Sequence, residues 1–135
     1  MYESFAQVLK QHHHLKHYGR LQLGLFLKGV GLNMEESLTF WKREMIKKHD
    51  IDAEKFEKNY AYNIRHSYGA EGKRNDYKPW NCNKIIALTQ PGSGEYHGCP
   101  FKTFSEENLV QLMGSYGLTK QDLAVIMDKK RENLY

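Results

Sequence analysis

The chain has 135 residues, which is the size of a single domain, and we predict one domain over residues 1–135. Hydrophobic residues make up 40% and charged residues 27%, a mixture typical of a globular protein and not of a disordered one. Residues 21–27, the longest uncharged stretch in the N-terminal half, are too few to cross a membrane, and residues 1–10 lack the apolar core of a secretory signal. We therefore expect no membrane partner.

Positive charge is concentrated in the N-terminal quarter of the chain. The formal net charge is +4, and residues 1–34 hold four basic residues against one acid, Glu3. The basic residues are Lys10, Lys16, Arg20 and Lys28, and His12, His13, His14 and His17 lie among them. No acid occurs between Glu3 and Glu35, and such a one-signed field attracts polyanions, most commonly nucleic-acid phosphates. The alternative is a basic, solvated face without a partner.

Hydrophobic spacing predicts a mainly α-helical chain. Phe5, Val8 and Leu9 lie on one face of a first helix, which we expect to end near the histidines. Asn33 followed by Glu36 is a helix start signal, because the asparagine can cap the helix while the acid three residues on caps it reciprocally. Further helices are predicted over residues 20–28, 34–48, 52–58, 83–88 and 105–115, with a last one from Thr119.

The pattern changes between residues 59 and 80. Tyr60, Tyr62 and Ile64 alternate with other residues, a period of two that is typical of a strand or an extended segment. We therefore predict that residues 59–80 form an irregular or short β-hairpin segment rich in aromatic side chains. Such rings can stack on bases, and the arginine and histidine that follow can meet phosphates. A strand with one tyrosine face packed inward explains the same pattern.

Histidines and cysteines are the candidate metal ligands. His13 and His17 are four residues apart, as ligands on one helix face are, but no carboxylate is near them in the sequence. We expect these histidines instead to donate hydrogen bonds to phosphates when partly protonated. Cys82 and Cys99 form no CxxC pair, although a Cys-Pro step such as the one at Cys99 is common beside iron–sulfur ligands. No phosphate-binding loop, GxSxG or HExxH motif occurs, so we expect no catalysis by this chain alone.

Six stretches in a fixed order give the chain a family resemblance. They are HHLKH at residues 13–17, GLFLKGVGL at 24–32, FWK at 40–42, YNIRHSYG at 62–69, EGKR at 71–74 and YHGCPF at 96–101. In these stretches, and over nearly its whole length, the chain resembles the C-terminal domain of the large subunit of eukaryotic DNA primase.

The resemblance implies a mainly helical domain in two halves around a 4Fe–4S cluster held by four cysteines. It also implies an accessory role, in which the domain binds the template–primer junction and the 5′-triphosphate of the RNA primer while the small subunit adds nucleotides. The implied partners are the primed DNA template, the primase small subunit and, through the full-length protein, DNA polymerase alpha, all in the nucleus. The residues that match the family's phosphate and template contacts are His14, Lys16, His17, Arg20, Lys28, Tyr60, Tyr62, Asn63 and His66, with Trp41 and Arg65 close by.

The chain differs from the family pattern in two places. Lys16 keeps the positive charge where the family often has arginine, but it lacks the bidentate guanidinium fork. Cys82 and Cys99 match the second and third cluster ligands, whereas the first would fall at or just before Met1 and the fourth a few residues after Tyr135. We therefore expect a trimmed domain whose two thiolates cannot hold an intact 4Fe–4S cluster. The alternatives are a small Cys/His metal-binding or redox module without a nucleic-acid role and, with no cofactor motif in its support, a flavin-related helical domain.

Overall fold

The fold is mainly helical, as the hydrophobic spacing predicts. The computed structural model describes residues 2–134, and no strand occurs within them. None of the helices so described is long and apolar enough to span a bilayer. A π-helix, Glu57–Ala61, joins α4 to α5. The α-helices are α1 (Tyr2–His12), α2 (His17–Gly29), α3 (Met34–Met45), α4 (Ala53–Phe56), α5 (Tyr62–Ser67), α6 (Cys82–Ile86), α7 (Pro100–Thr103), α8 (Glu106–Ser115) and α9 (Lys120–Arg131).

The predicted β-hairpin in residues 59–80 is wrong, because the first part of this segment is helical. The chain continues from α4 through the π-helix into α5 without a break. Phe56 and Ala61 are both buried and lie five residues apart, so the widened π turn keeps both side chains in the core. Burial of this pair outweighs the alternation of Tyr60, Tyr62 and Ile64. The prediction of irregular backbone holds for residues 68–81 only.

Two clusters of buried side chains form the core. The second, smaller cluster joins Leu109 and Met113 of α8 to Met127 of α9. Around the first cluster, α2 and α5 both pack against α3. Most of the residues predicted to bind nucleic acid lie on or next to α2 and α5, so α3 is the platform that brings them together. The first cluster consists of Phe5, Leu9, Leu15, Leu23, Trp41, Met45, Ile51, Phe56 and Ala61.

Side-chain caps begin α3 and α9 where the sequence predicts them. Asn33 accepts a hydrogen bond from the Glu36 amide at 2.9 Å, and the Glu36 carboxylate accepts one from the Asn33 amide at 2.9 Å. Thr119 and Asp122 form the same reciprocal cap at the start of α9. These bonds satisfy amide groups that a helix start otherwise leaves without a partner, so they determine where the two helices begin.

Lys28 attaches the irregular segment 68–81 to the end of α2. Its ammonium donates a hydrogen bond to the Tyr77 carbonyl at 2.7 Å and pairs with the Asp76 carboxylate. The Lys28 side chain is 16% exposed, so these contacts are partly shielded from water. Hydrogen bonds from Lys28 and from Lys78 lower the pKa of Asp76 to about 2.

We expect Asp76→Asn to lower thermal stability at neutral pH, with the difference from the unmodified chain disappearing in acid. The pKa of Asp76 is depressed from 3.8 to about 2 in the folded chain. The contribution of the carboxylate is therefore complete above its unfolded pKa and is lost as the pH falls through the folded value. Thermal unfolding of both proteins, followed by circular dichroism across this pH range, measures the difference. An equal difference at both ends of the range would contradict the ion pair.

Candidate nucleic-acid interface

Three adjoining cavities lie along α2, and His17 lines all of them. The cationic cavity, of about 410 Å³, is lined by residues 14–20 together with Tyr60, Glu95 and Tyr96. The central cavity, of about 40 Å³, lies between α2, α3 and α5. Because the cavities share lining residues, we describe them together as the groove. The aromatic cavity, of about 360 Å³, has among its lining residues Tyr62, Asn63, His66, Tyr77, Trp80 and Lys84.

The groove joins two stretches that are distant in the sequence. His17 and Arg20 are three residues apart on α2, and Tyr60 and Asn63 are three apart where the π-helix runs into α5. Residues at this spacing lie on the same side of a helix, and all four side chains line the central cavity. The basic segment and the Tyr–Asn segment therefore meet at one surface, as the binding residues of a single ligand must.

Arg20 is held at the boundary between the cationic and central cavities. One guanidinium nitrogen donates to the Leu15 carbonyl at 2.7 Å, and the guanidinium carbon lies 5.1 Å from the centre of the Tyr60 ring. This cation–π contact and the hydrogen bond restrict the fork to one orientation. Burial lowers the pKa of Arg20, an effect that Tyr60 opposes, yet an arginine stays protonated in proteins. The side chain is a fixed positive charge inside the groove.

Two histidines of the groove contact tyrosine rings. Burial and the positive charges of Arg20 and Lys48 lower the pKa of His14, which favours its neutral form. The His14 ring meets the edge of Tyr60 at a centroid distance of 5.8 Å, and the His17 ring meets Tyr18 at 5.3 Å. The lowered pKa makes protonation of His14 less favourable, and the expectation that this ring donates a hydrogen bond to a phosphate stays a prediction.

Lys16 connects the cationic cavity to a loop far along the chain. Its ammonium donates to the Ser93 carbonyl at 2.8 Å. Gly94 has a φ of +72°, and a Cβ there would lie 3.3 Å from Lys16 Cε, so a glycine permits this close approach. The loop then supplies Glu95 and Tyr96 to the wall of the cavity. Lys16 thus has both its charge in the cavity and a role in shaping it.

Rings in contact with one another line the aromatic cavity. His66 stacks on Tyr77 with centroids 5.1 Å apart and lies 6.0 Å from Tyr62. On the same cavity, the Lys84 ammonium lies 4.3 Å from the centre of the Trp80 ring. Flat apolar faces beside a cation are the surface that single-stranded bases and their phosphates bind.

Three of the predicted site residues are placed differently from the rest. Trp41 is 2% exposed and belongs to the core, although it also lines the central cavity. The Lys28 ammonium is held by Asp76 and by backbone oxygens, so it would have to exchange one of these partners to bind a phosphate. Arg65 lies 3.5 Å from Glu57 and 3.4 Å from Glu71, which neutralise it, and it is not among the residues that line the three cavities.

Five rings and cations of the cationic and aromatic cavities are not among the predicted site residues. Three of them carry a signal in the sequence, because Tyr18 directly follows His17 and Trp80 lies four residues before Lys84. The other two, Tyr77 and Tyr96, reach the groove through tertiary folding. The five are Tyr18, Tyr77, Trp80, Lys84 and Tyr96.

The two cysteines lie in different surroundings within residues 2–134. Cys82 is exposed in the first turn of α6, and Cys99 is buried as the cap of α7. Within residues 2–134 no group of three histidine, cysteine or acidic side chains is arranged to bind a metal. The positions at or before Met1 and after Tyr135, where the first and fourth cluster ligands are expected, lie outside the described residues. Two thiolates do not fit a cluster that needs four ligands, and the Cys/His metal module finds no third ligand in the described part.

Comparisons with known proteins place the whole chain in one family. The family that matches residues 2–135 is the C-terminal domain of the large subunit of eukaryotic and archaeal DNA primase. A probable DNA primase large subunit of Arabidopsis thaliana is 52% identical over 127 residues, which cover 94% of this chain and 27% of that protein. The DNA primase large subunit of Mus musculus is 50% identical over 96% of this chain, and that of Saccharomyces cerevisiae 45% identical over 98%, each match covering 25% of the relative. The chain thus spans about a quarter of the length of these relatives.

Proposed function

Because this chain belongs to the family of C-terminal domains from the large subunit of eukaryotic and archaeal DNA primase, we propose that it binds the template–primer junction and the 5′-triphosphate of the RNA primer. Family membership ties the chain to DNA primase and therefore to replication. One observation carries the proposal further: His17, Arg20 and Asn63, from two distant stretches, line a single cavity in the groove. The cavity therefore brings together hydrogen-bond donors for phosphates and an amide that can contact the strand.

The cationic cavity is the proposed site of the primer's terminal phosphates. Lys16 and Arg20 supply two positive charges there against the one carboxylate of Glu95, and the ring of His14 adds hydrogen-bonding capacity. A triphosphate end carries more negative charge than an internal phosphodiester, so close cations favour the end of the primer over its interior. The guanidinium of Arg20 can bind phosphate oxygens in a bidentate manner, whereas Lys16 acts as a point charge.

The aromatic cavity is the proposed contact for the nucleic-acid strand beside the primer end. Tyr62 is 46% exposed, so its ring can stack on a base or a sugar. Asn63 lines both the central and the aromatic cavities and can hydrogen-bond along the strand. His66 completes this wall through its contacts with Tyr62 and Tyr77. The terminal phosphates would thus bind in the cationic cavity, and the bases that follow them would bind in the aromatic cavity.

In this proposal the domain positions its ligand and performs no chemistry itself. Nucleotide addition belongs to the primase small subunit, and DNA polymerase alpha is a further partner of the full-length protein, in the nucleus. Cys82 and Cys99 match two of the four cluster ligands that the family resemblance implies, and no step of this proposal depends on a cluster. A cluster supplies electron-transfer chemistry and a covalent link between chain segments.

Replacing Lys16 tests recognition of the primer end. We expect Lys16→Ala to weaken binding to a 5′-triphosphate primer–template about tenfold, and binding to the same duplex with a 5′-hydroxyl far less, because a charged hydrogen bond to the end is lost. The slope of log affinity against log salt should also fall by about 1. Fluorescence anisotropy with the 135-residue chain measures both quantities.

Lys120→Ala is the matched control for this experiment. Lys120 is an exposed lysine at the start of α9, and its replacement removes the same charge away from the groove. We expect it to reduce both affinities slightly and equally. If Lys16→Ala weakens the triphosphate and hydroxyl substrates by the same factor, the cationic cavity does not recognise the end of the primer.

A further inference from the structure

Tyr18 presents an exposed ring on the wall of the cationic cavity. Its neighbour Gly19 faces the core, where a Cβ would lie 3.4 Å from Leu15 Cβ and 3.5 Å from Phe5 Cε1. Successive helical residues are rotated by about 100°, so the side chain before this glycine leaves the core. Tyr18 is accordingly 60% exposed, and it lines the cavity together with Tyr96, which is 38% exposed. Neither ring has a role in binding the terminal phosphates.

The Tyr18 ring contacts a residue of the cavity, and Tyr96 lies three residues after another such contact. The edge of the His17 ring contacts Tyr18 with an interplanar angle of 67°. Tyr96 follows the loop that Lys16 ties down through the Ser93 carbonyl. The two tyrosines thus come from separate segments, and each is linked to a residue proposed to bind phosphate.

A flat apolar ring beside fixed cations matches the chemistry of an unpaired nucleobase attached to a phosphodiester strand. We propose that Tyr18 is a binding residue whose ring stacks on the first unpaired base of the template, next to the 5′ end of the primer. This inference rests on the proposed function. The first primer base is held in a base pair, whereas the first unpaired template base has no partner in the opposite strand. The template base can therefore turn toward the ring without breaking a pair.

A fluorescent adenine analogue, whose emission falls when it stacks, tests this contact when placed at the first unpaired template position. We expect the unmodified chain to quench the emission and Tyr18→Phe to preserve the quenching, because the ring is retained. Tyr18→Ala should abolish it and weaken binding about fivefold or more, since one base–ring stack contributes about 1 kcal/mol at the least. Tyr116→Ala is the matched control, since this tyrosine is 57% exposed on the second half of the chain and should leave both signals unchanged.

Three results would overturn the inference, and they are distinguishable. Undiminished quenching by Tyr18→Ala would show that the ring does not stack on this base, while the proposed function stands. An equal loss for Tyr18→Ala on a blunt-ended duplex would place the ring on the terminal base pair instead of the template strand. If the unmodified chain binds no primed template at all, the proposed function fails together with the inference.

Discussion

Arg20→Ala is expected to weaken binding to a 5′-triphosphate primer–template by about 10- to 100-fold. The guanidinium is fixed by the Leu15 carbonyl and by the Tyr60 ring, so little side-chain freedom is lost when it binds an anion. Its partial burial also weakens competition from water and salt. Anisotropy titrations against the triphosphate and hydroxyl substrates measure the loss, which we expect to be larger for the triphosphate.

Two companion variants complete the experiment: one separates charge from geometry at position 20, and the other is a control outside the groove. Arg20→Lys keeps the charge but lacks the planar fork, so we expect it to recover only part of the lost affinity. Arg43→Ala removes an exposed arginine of α3 that lines none of the three cavities, and it should have little effect on either substrate. Full recovery by Arg20→Lys would mean that the position supplies charge alone, and loss of binding by Arg43→Ala would mean that the groove is not the interface.

Trp41→Ala is expected to lower the free energy of unfolding by about 3–5 kcal/mol. Trp41 is 2% exposed and lies in the first core cluster, where its removal leaves a cavity that the neighbouring helices cannot fill. α3 carries this residue and contacts both α2 and α5, so the loss also loosens the platform of the groove. Urea denaturation monitored by circular dichroism measures the change.

Trp41→Phe distinguishes a role in the core from direct contact with nucleic acid. We expect this variant to lose less stability than the alanine variant and to keep its affinity for the primed template, because a smaller aromatic ring still fills most of the space. Normal stability with strongly reduced binding would instead show that the indole touches the ligand through the central cavity.

The helices of this fold were predictable because their signals are local. The Asn33–Glu36 pair caps α3 where the sequence indicates, and the spacing of Phe5 and Leu9 identifies a buried helix face. The segment after residue 58 was not predictable in this way. Alternating tyrosines there indicate a strand, while the pair that decides the backbone, Phe56 and Ala61, has the unusual spacing of a π turn.

The candidate site was predictable in its composition but not in its geometry. The run without acids between Glu3 and Glu35 identifies the basic side of the groove from charge alone. Which cations remain available to a ligand depends on distant partners. Lys28 pairs with Asp76, 48 residues away, and Lys16 donates to the Ser93 carbonyl, 77 residues away. No local sequence pattern predicts either contact.

The π-helix gives the groove one residue of tolerance in chain length. A π turn at Glu57–Ala61 holds one residue more than an α-helical turn before α5 begins. Deleting one residue there would restore regular winding and place Phe56 and Ala61 four positions apart, while Asn63 and His66 would keep nearly the same side of the molecule. Deleting a residue inside α5 would instead rotate the binding residues that follow it by about 100°.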